Sequence, residues 1–169
     1  MSNAQFLNNF PLFGGLRATA PMIIGQYATE QTHGAASTID VTGGGIVVPK
    51  GFFGPGSTFR FTVYGSRTGT SGAATLLVDI NGTTAVTLAI PTNTAVDFLW
   101  QGIVHEVGDL AHQQNSAICF ASATVLSAMD YNASAVNVSE NSVIKLRQTL
   151  ASASDTLVID YILIEYWKL

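Results

Sequence analysis

The run ATLLVDINGTTAVTLAI, residues 74–90, decides how the rest of the chain is read. Apolar and polar residues alternate on both sides of Asn81-Gly82, and that dipeptide supplies the positive φ angles of a two-residue type I′ turn. The stretch predicts an antiparallel hairpin. Working outward, STFRFTVYG (57–65) alternates as cleanly, with Phe59, Phe61 and Val63 on one face and Arg60, Thr62 and Tyr64 on the other. Residues 97–107, 116–126, 142–150 and 156–167 predict four more strands, and GGGIVVP around Ile46 another, giving seven or eight. No stretch combines helical length with a helical period. The fold class expected is therefore all-β, an antiparallel two-sheet sandwich whose strand–turn spacing suits a jelly roll.

Residues 1–38 follow a different pattern. FLNNFPLFGGL (6–16) and APMIIGQY (20–27) gather apolar residues into clumps broken by Pro11, Gly14, Gly15 and Pro21, and sustain no period. They predict an irregular N-terminal arm over 1–38, ahead of a sandwich body over 39–169. Phe6, Leu7, Phe10, Leu12, Phe13, Met22, Ile23 and Ile24 would make such an arm poorly soluble if left free. The arm is expected to lie extended across a neighbouring surface as a docking segment.

At the other end, DTLVIDYILIEYW (155–167) is apolar on both faces. Leu157, Ile159, Tyr161 and Leu163 alternate with Val158, Asp160, Ile162 and Ile164. A strand of this kind should be covered on both sides, and as a bare edge it would invite aggregation. The expectation is an oligomer interface through Leu157, Ile159, Tyr161, Ile162, Ile164, Tyr166 and Trp167.

Composition narrows the partners. The 169 residues fit one domain, and the 11% charged content is under half the usual quarter, with Ser, Thr, Gly, Ala and Asn forming the polar surface. Depleted charge suits a surface covered by neighbouring protein. The net charge of −4 and the scattering of seven Lys and Arg argue against nucleic acid, which needs a basic stripe. The opening MSNAQFLNNF lacks the basic region and unbroken apolar run of a signal peptide. The C-terminal run is too short, and too interrupted by Asp160 and Glu165, to span a bilayer. The chain is expected to fold in a cytoplasm, without a membrane partner. Cys119, the single cysteine, reads as a buried, inert thiol. The sequons at Asn81, Asn132 and Asn137 read as polar loop chemistry.

No catalytic constellation emerges. HEVGDLAH (105–112) matches the helical zinc-protease signature for two letters, then places Asp109 where the second His belongs, in a strand-then-turn context. His105, Glu106, Asp109 and His112 read as a solvated strand end, with a loop metal site as the alternative. VTGGG (41–45) precedes a strand, so it reads as a hinge or bulge and not a phosphate loop. Asp79 and Asp97 have no acid–base partner in the pattern. Trp100 and Trp167 read as core or interface aromatics, with sugar stacking as the alternative. No catalytic, metal-binding or cofactor-binding residue is assigned.

Three stretches resemble a group of tailed-bacteriophage virion proteins with a jelly-roll or β-sandwich fold. IVVPKGFFGPGSTFRFTVYGSRTGTSGAATLLVDINGTT (46–84) looks like the family's opening, and DFLWQGIVHEVGDLAHQQNSAICFASATVLS (97–127) is similar to its central strand pair. NSVIKLRQTLASASDTLVIDYILIEYW (141–167) looks like its ending. The chain departs from the family at EVGDLAHQQNS (106–116), a longer and more polar turn than the usual Ile-Gly-Ala/Ser. The resemblance implies a non-enzymatic virion protein assembled in the host cytoplasm, most simply a head-decoration (cement) protein. Such a protein is usually a homotrimer held on the capsid exterior by the major capsid protein. A fibre or receptor-binding tip is the second reading, although no heptad or collagen-like shaft occurs. A carbohydrate-binding module, a different class, would need a platform from Trp100, Tyr64 and Tyr131.

Overall fold

The computed structural model describes residues 21–28, 30–69, 71–90, 95–121 and 124–168, with the backbone alone at 95 and 124–132. The alternating runs become strands because a pleated backbone sends every second side chain to one face. In chain order they are β1 (Met22–Tyr27), β2 (Gln31–His33), β3 (Thr38–Asp40), β4 (Ile46–Val48), β5 (Ser57–Thr68) and β6 (Ala74–Ile80), followed by β7 (Thr83–Ile90), β8 (Ala95–Glu106), β9 (Gln113–Ala121), β10 (Thr124–Ser134), β11 (Ser142–Leu150) and β12 (Thr156–Lys168). No helix occurs among the described residues.

The larger sheet has the order β1-β12-β5-β8-β9-β10, with β2 also paired to β12; the smaller runs β3-β11-β6-β7, with β4 also paired to β11. The pairing is nested. The first strands β1 and β2 pair with the last, β12, and β3 and β4 pair with β11. Inside these, β5 pairs with β8 and β6 with β7. A long antiparallel ladder rolled up in this way is a jelly roll, and the β9–β10 hairpin extends its larger sheet.

The hairpin forms as its sequence requires. Asn81 has φ 52° and Gly82 φ 82°, the left-handed pair that a type I′ turn demands. The Asn81 side chain then braces the turn: its Oδ1 accepts from Val143 N at 2.9 Å, and its Nδ2 donates to Asn137 O at 3.3 Å. Phe59, Phe61 and Val63 are buried between the sheets, as their parity predicts. The aromatic end of the core is sealed by Phe53 stacked on Phe59 with centroids 4.7 Å apart, and by Tyr166 donating its hydroxyl to Phe52 O at 2.8 Å.

The arm begins and ends differently from the expectation. The apolar clump at 22–24 belongs to β1, and β1 with β2 forms one interrupted edge strand along β12. Likewise β3 and β4 form one interrupted strand along β11, and Gly43, Gly44 and Gly45 loop out of it at positive φ. Asp40 holds that loop by accepting from Thr42 N at 2.8 Å and Gly44 N at 3.1 Å. The sandwich therefore starts at residue 22 and not at 39. Short pieces broken by glycine lack a visible period, yet their backbone groups find partners on the neighbouring strand. Phe6, Leu7, Phe10, Leu12 and Phe13 lie outside the described residues.

Candidate functional site

Of the seven residues expected at an oligomer interface, five belong to the chain's own core. Leu157, Ile159, Ile162, Ile164 and Tyr166 are buried between the sheets, and only Tyr161 and Trp167 face outward. Two causes account for this correction. The register slips between Ile159 and Tyr161, so a bulge at Asp160 sends both Ile159 and Ile162 inward although their parity differs. In addition β12 lies between β1 and β5 and is not an edge. Among the arm residues, Ile24 is buried in the core, Met22 packs partly against it, and Ile23 is 54% exposed. Only Ile23 of these three is free to dock on anything.

The apolar second face of β12 continues across its neighbours. Register places Tyr161, Tyr64, Leu99 and Phe120 in one row over β12, β5, β8 and β9. The adjacent row reads Leu163, Thr62, Gln101 and Ile118, and the next Glu165, Arg60, Ile103 and Ser116. Tyr64 and Phe120 are 47% and 45% exposed. The Tyr64 and Tyr161 rings meet with centroids 6.2 Å apart. A shallow depression between Gln101, Ile103, Ser116 and Ile118 interrupts the face. Its central charges cancel: Arg60 Nε donates to Glu165 Oε2 at 2.7 Å, and its guanidinium lies 5.5 Å from the Trp167 ring. The smaller sheet's outer face is different, with Thr38, Thr149, Thr75 and Ala89 in one row and Lys145, Asp79 and Thr84 in another. There Arg147 Nη1 donates to Asp79 Oδ2 at 2.7 Å.

The four residues of HEVGDLAH do not converge. His105 faces outward, with Nδ1 2.7 Å from Thr58 Oγ1. Asp109 and His112 form an exposed pair at 2.6 Å beyond the strand, where the Ala111 N–H, followed by His112, holds the Asp109 carboxyl below its ordinary value. Glu106 points inward and is fully buried. Its Oε2 accepts from Gln113 Nε2 at 2.8 Å, while its Oε1 has no partner among the described residues. Gln113 in turn donates to Val136 O and accepts from Val136 N and Ser134 Oγ, which fastens the 134–138 segment to β9. Among the described residues, no three His, Cys, Asp or Glu are grouped to hold a metal ion. Trp100 is fully buried, so it cannot belong to a sugar platform. Cys119 is also buried, and desolvation pushes its thiol up to about 11, a value at which almost no thiolate exists at neutral pH.

Glu106 carries a pH prediction. Burial pushes its carboxyl above the ordinary value, so the folded chain favours the protonated form more than the unfolded chain does. Its contribution to stability is fully present below the unfolded value and fades as pH rises through the folded one. Glu106→Gln is expected to unfold at a higher temperature than the parent near about pH 8 and at a similar temperature near about pH 4. Thermal unfolding followed by circular dichroism across that range checks it.

Sequence reasoning missed the burial of Arg67, Glu106 and Asp155, although parity could have found the first two. Arg67 shares its face with Phe59, Phe61 and Val63, and Glu106 shares its face with Trp100 and Val104. Arg67 and Asp155 form a fully buried ion pair at 2.8 Å.

No family model matches the chain, and no curated protein matches it. Among solved structures it is similar to part of dimeric latent PorU from Porphyromonas gingivalis, at 13% identity and a TM-score of 0.40. The likeness covers 82% of this chain and 10% of that one, so the chain spans about a tenth of PorU's length. A likeness at this level carries no functional argument.

Proposed function

We propose that the chain is a non-enzymatic structural protein of a tailed-phage particle. In this reading it is a head-decoration protein that binds the major capsid protein on the capsid exterior as a homotrimer. The observation that carries the reading is the likeness of residues 46–167 to phage virion proteins. The sandwich is consistent with it: the side chains that could have performed chemistry, Glu106, Asp79 and His105 among them, are bonded to neighbouring groups that brace strands and loops. Docking falls to Phe6, Leu7, Phe10, Leu12 and Phe13. At about 3.3 Å per extended residue, twenty residues reach about 65 Å, enough to cross onto another subunit. Each large side chain buried there would contribute roughly 1.5–3 kcal/mol before ordering costs.

The test is electron cryomicroscopy of the particle, paired with binding of purified chain to undecorated heads. Density on the head exterior, lost when residues 1–20 are deleted, is the expected result. The deletion must stop before Pro21, because removing β1 strips a partner from β12. Density on the tail would favour the fibre-tip reading, and absence from the particle would overturn both.

A further inference from the structure

We propose that Asn81 is a modification site, at which the chain deamidates spontaneously through a succinimide, and that residues 137–143 set the rate by holding the Asn81 amide. The inference stands apart from the virion reading and requires no partner molecule.

The chemistry is local. Asn81 is the one asparagine of the chain that is followed by glycine. Ring closure needs the Gly82 nitrogen to reach Asn81 Cγ, and glycine puts no side chain in the way. Both residues are exposed at the tip of the β6–β7 hairpin, and a Cβ added to Gly82 would meet nothing within 4 Å. Water and hydroxide therefore reach the turn freely. The Gly82 N–H gives its proton to hydroxide, and the nitrogen bonds to Cγ. The Cγ–Nδ2 bond then breaks, and the amide nitrogen takes a proton from solvent and leaves as ammonia. Water opens the five-membered ring at either carbonyl, which leaves an aspartate or an isoaspartate at position 81. Nothing is oxidised or reduced.

What the fold adds is a restraint on the leaving group. Nδ2 donates to Asn137 O and to Ser142 Oγ, each at 3.3 Å, and Oδ1 accepts from Val143 N at 2.9 Å. The Asn81 backbone is held as well, its N–H donating to Val143 O at 2.9 Å. An amide spread over these groups is not folded back on its own backbone, as ring closure requires. The reaction must wait for residues 137–143 to let go, so its rate reports the local opening of that segment. The products undo the brace. An aspartate sets a carboxylate oxygen against the Asn137 carbonyl, two acceptors with no proton between them. An isoaspartate adds a backbone carbon to a turn whose length fixes the register of β6 on β7.

The experiment uses the full-length chain, aged in mildly alkaline buffer with and without urea. Peptide mapping by mass spectrometry locates each amide-to-acid exchange. Asn81 should convert before any other asparagine. In the folded chain it should convert at least about tenfold more slowly than in urea, as the loss of one or two net hydrogen bonds on opening implies. Ser142→Ala removes one acceptor and should speed conversion by about threefold in the folded chain while leaving the rate in urea unchanged. Asn81→Asp, the product itself, should lower the thermal midpoint by roughly 2–4 °C. Equal rates for Asn81 with and without urea, or earlier conversion of another asparagine in the folded chain, would overturn the proposal. A folded Ser142→Ala that converts like the parent would overturn the role of 137–143. Should that variant not fold, the comparison of the parent with and without urea decides.

Discussion

Ile162→Asp is expected to prevent folding altogether, and not merely to separate copies of the chain. Ile162 is fully buried between the sheets, opposite Val63 in the register of β12 and β5. Truncating a buried isoleucine costs about 2–5 kcal/mol, and an unpaired carboxylate in the same place costs further kcal/mol or titrates to its neutral form. The sum approaches the whole stability of a typical domain, roughly 5–15 kcal/mol. Circular dichroism and solubility should therefore report an unfolded or aggregated chain near neutral pH. Tyr64→Glu, one strand away but pointing outward, should report a folded one. The opposite pattern would mean that β12 presents its other face to the core.

Arg67→Leu should give the second largest loss. Arg67 Nη1 donates to Ile90 O at 3.0 Å, and Nη2 donates to Asp155 Oδ2 at 2.8 Å and to Gly72 O. Asp155 also accepts from Ser71 N at 3.0 Å and Gly72 N at 3.1 Å. One ion pair thus ties the end of β5 to the turns before β6 and before β12. Leucine keeps the apolar stem but leaves the buried carboxylate without its cation. Breaking a buried pair from one side costs about 3–5 kcal/mol. At roughly 2–4 °C per kcal/mol for a chain of this size, the midpoint should fall by about 10 °C.

The same pair sets the acid limb of stability. The Arg67 guanidinium, with the Ser71 and Gly72 amides, holds the Asp155 carboxyl below its ordinary value. A depressed folded pKa contributes stability that is present above the unfolded value and lost as pH falls through the folded one. In Arg67→Leu, stability should therefore depend less on pH in that acid range. Thermal unfolding of parent and variant between about pH 2 and pH 6 measures both effects. Equal midpoints at neutral pH would show that the pair contributes nothing net.

Much of this architecture was legible in the residues themselves. Alternation over 57–65 specified which side chains share a face, because the two-residue period of a strand is a local property. Asn81-Gly82 specified its turn because few other dipeptides tolerate its backbone angles. Three features depended on partners distant in sequence. The edge strands at 22–40 were hidden because broken pieces show no period, and only pairing with β11 and β12 reveals them as strands. The single strand expected over 116–126 is instead the end of β9, at Ala121, and the start of β10, at Thr124, and β10 pairs back on β9. The interface drawn on β12 failed because a sequence can show that both faces are apolar but not which one meets the core. That choice was made by one bulged residue, Asp160, and by the strands on either side. Local chemistry determined that this protein is a β-sandwich with little charge. Long-range pairing decided which of its apolar residues hold the fold together and which remain on its outer face, because parity along a strand has no absolute sign until a second sheet packs against it.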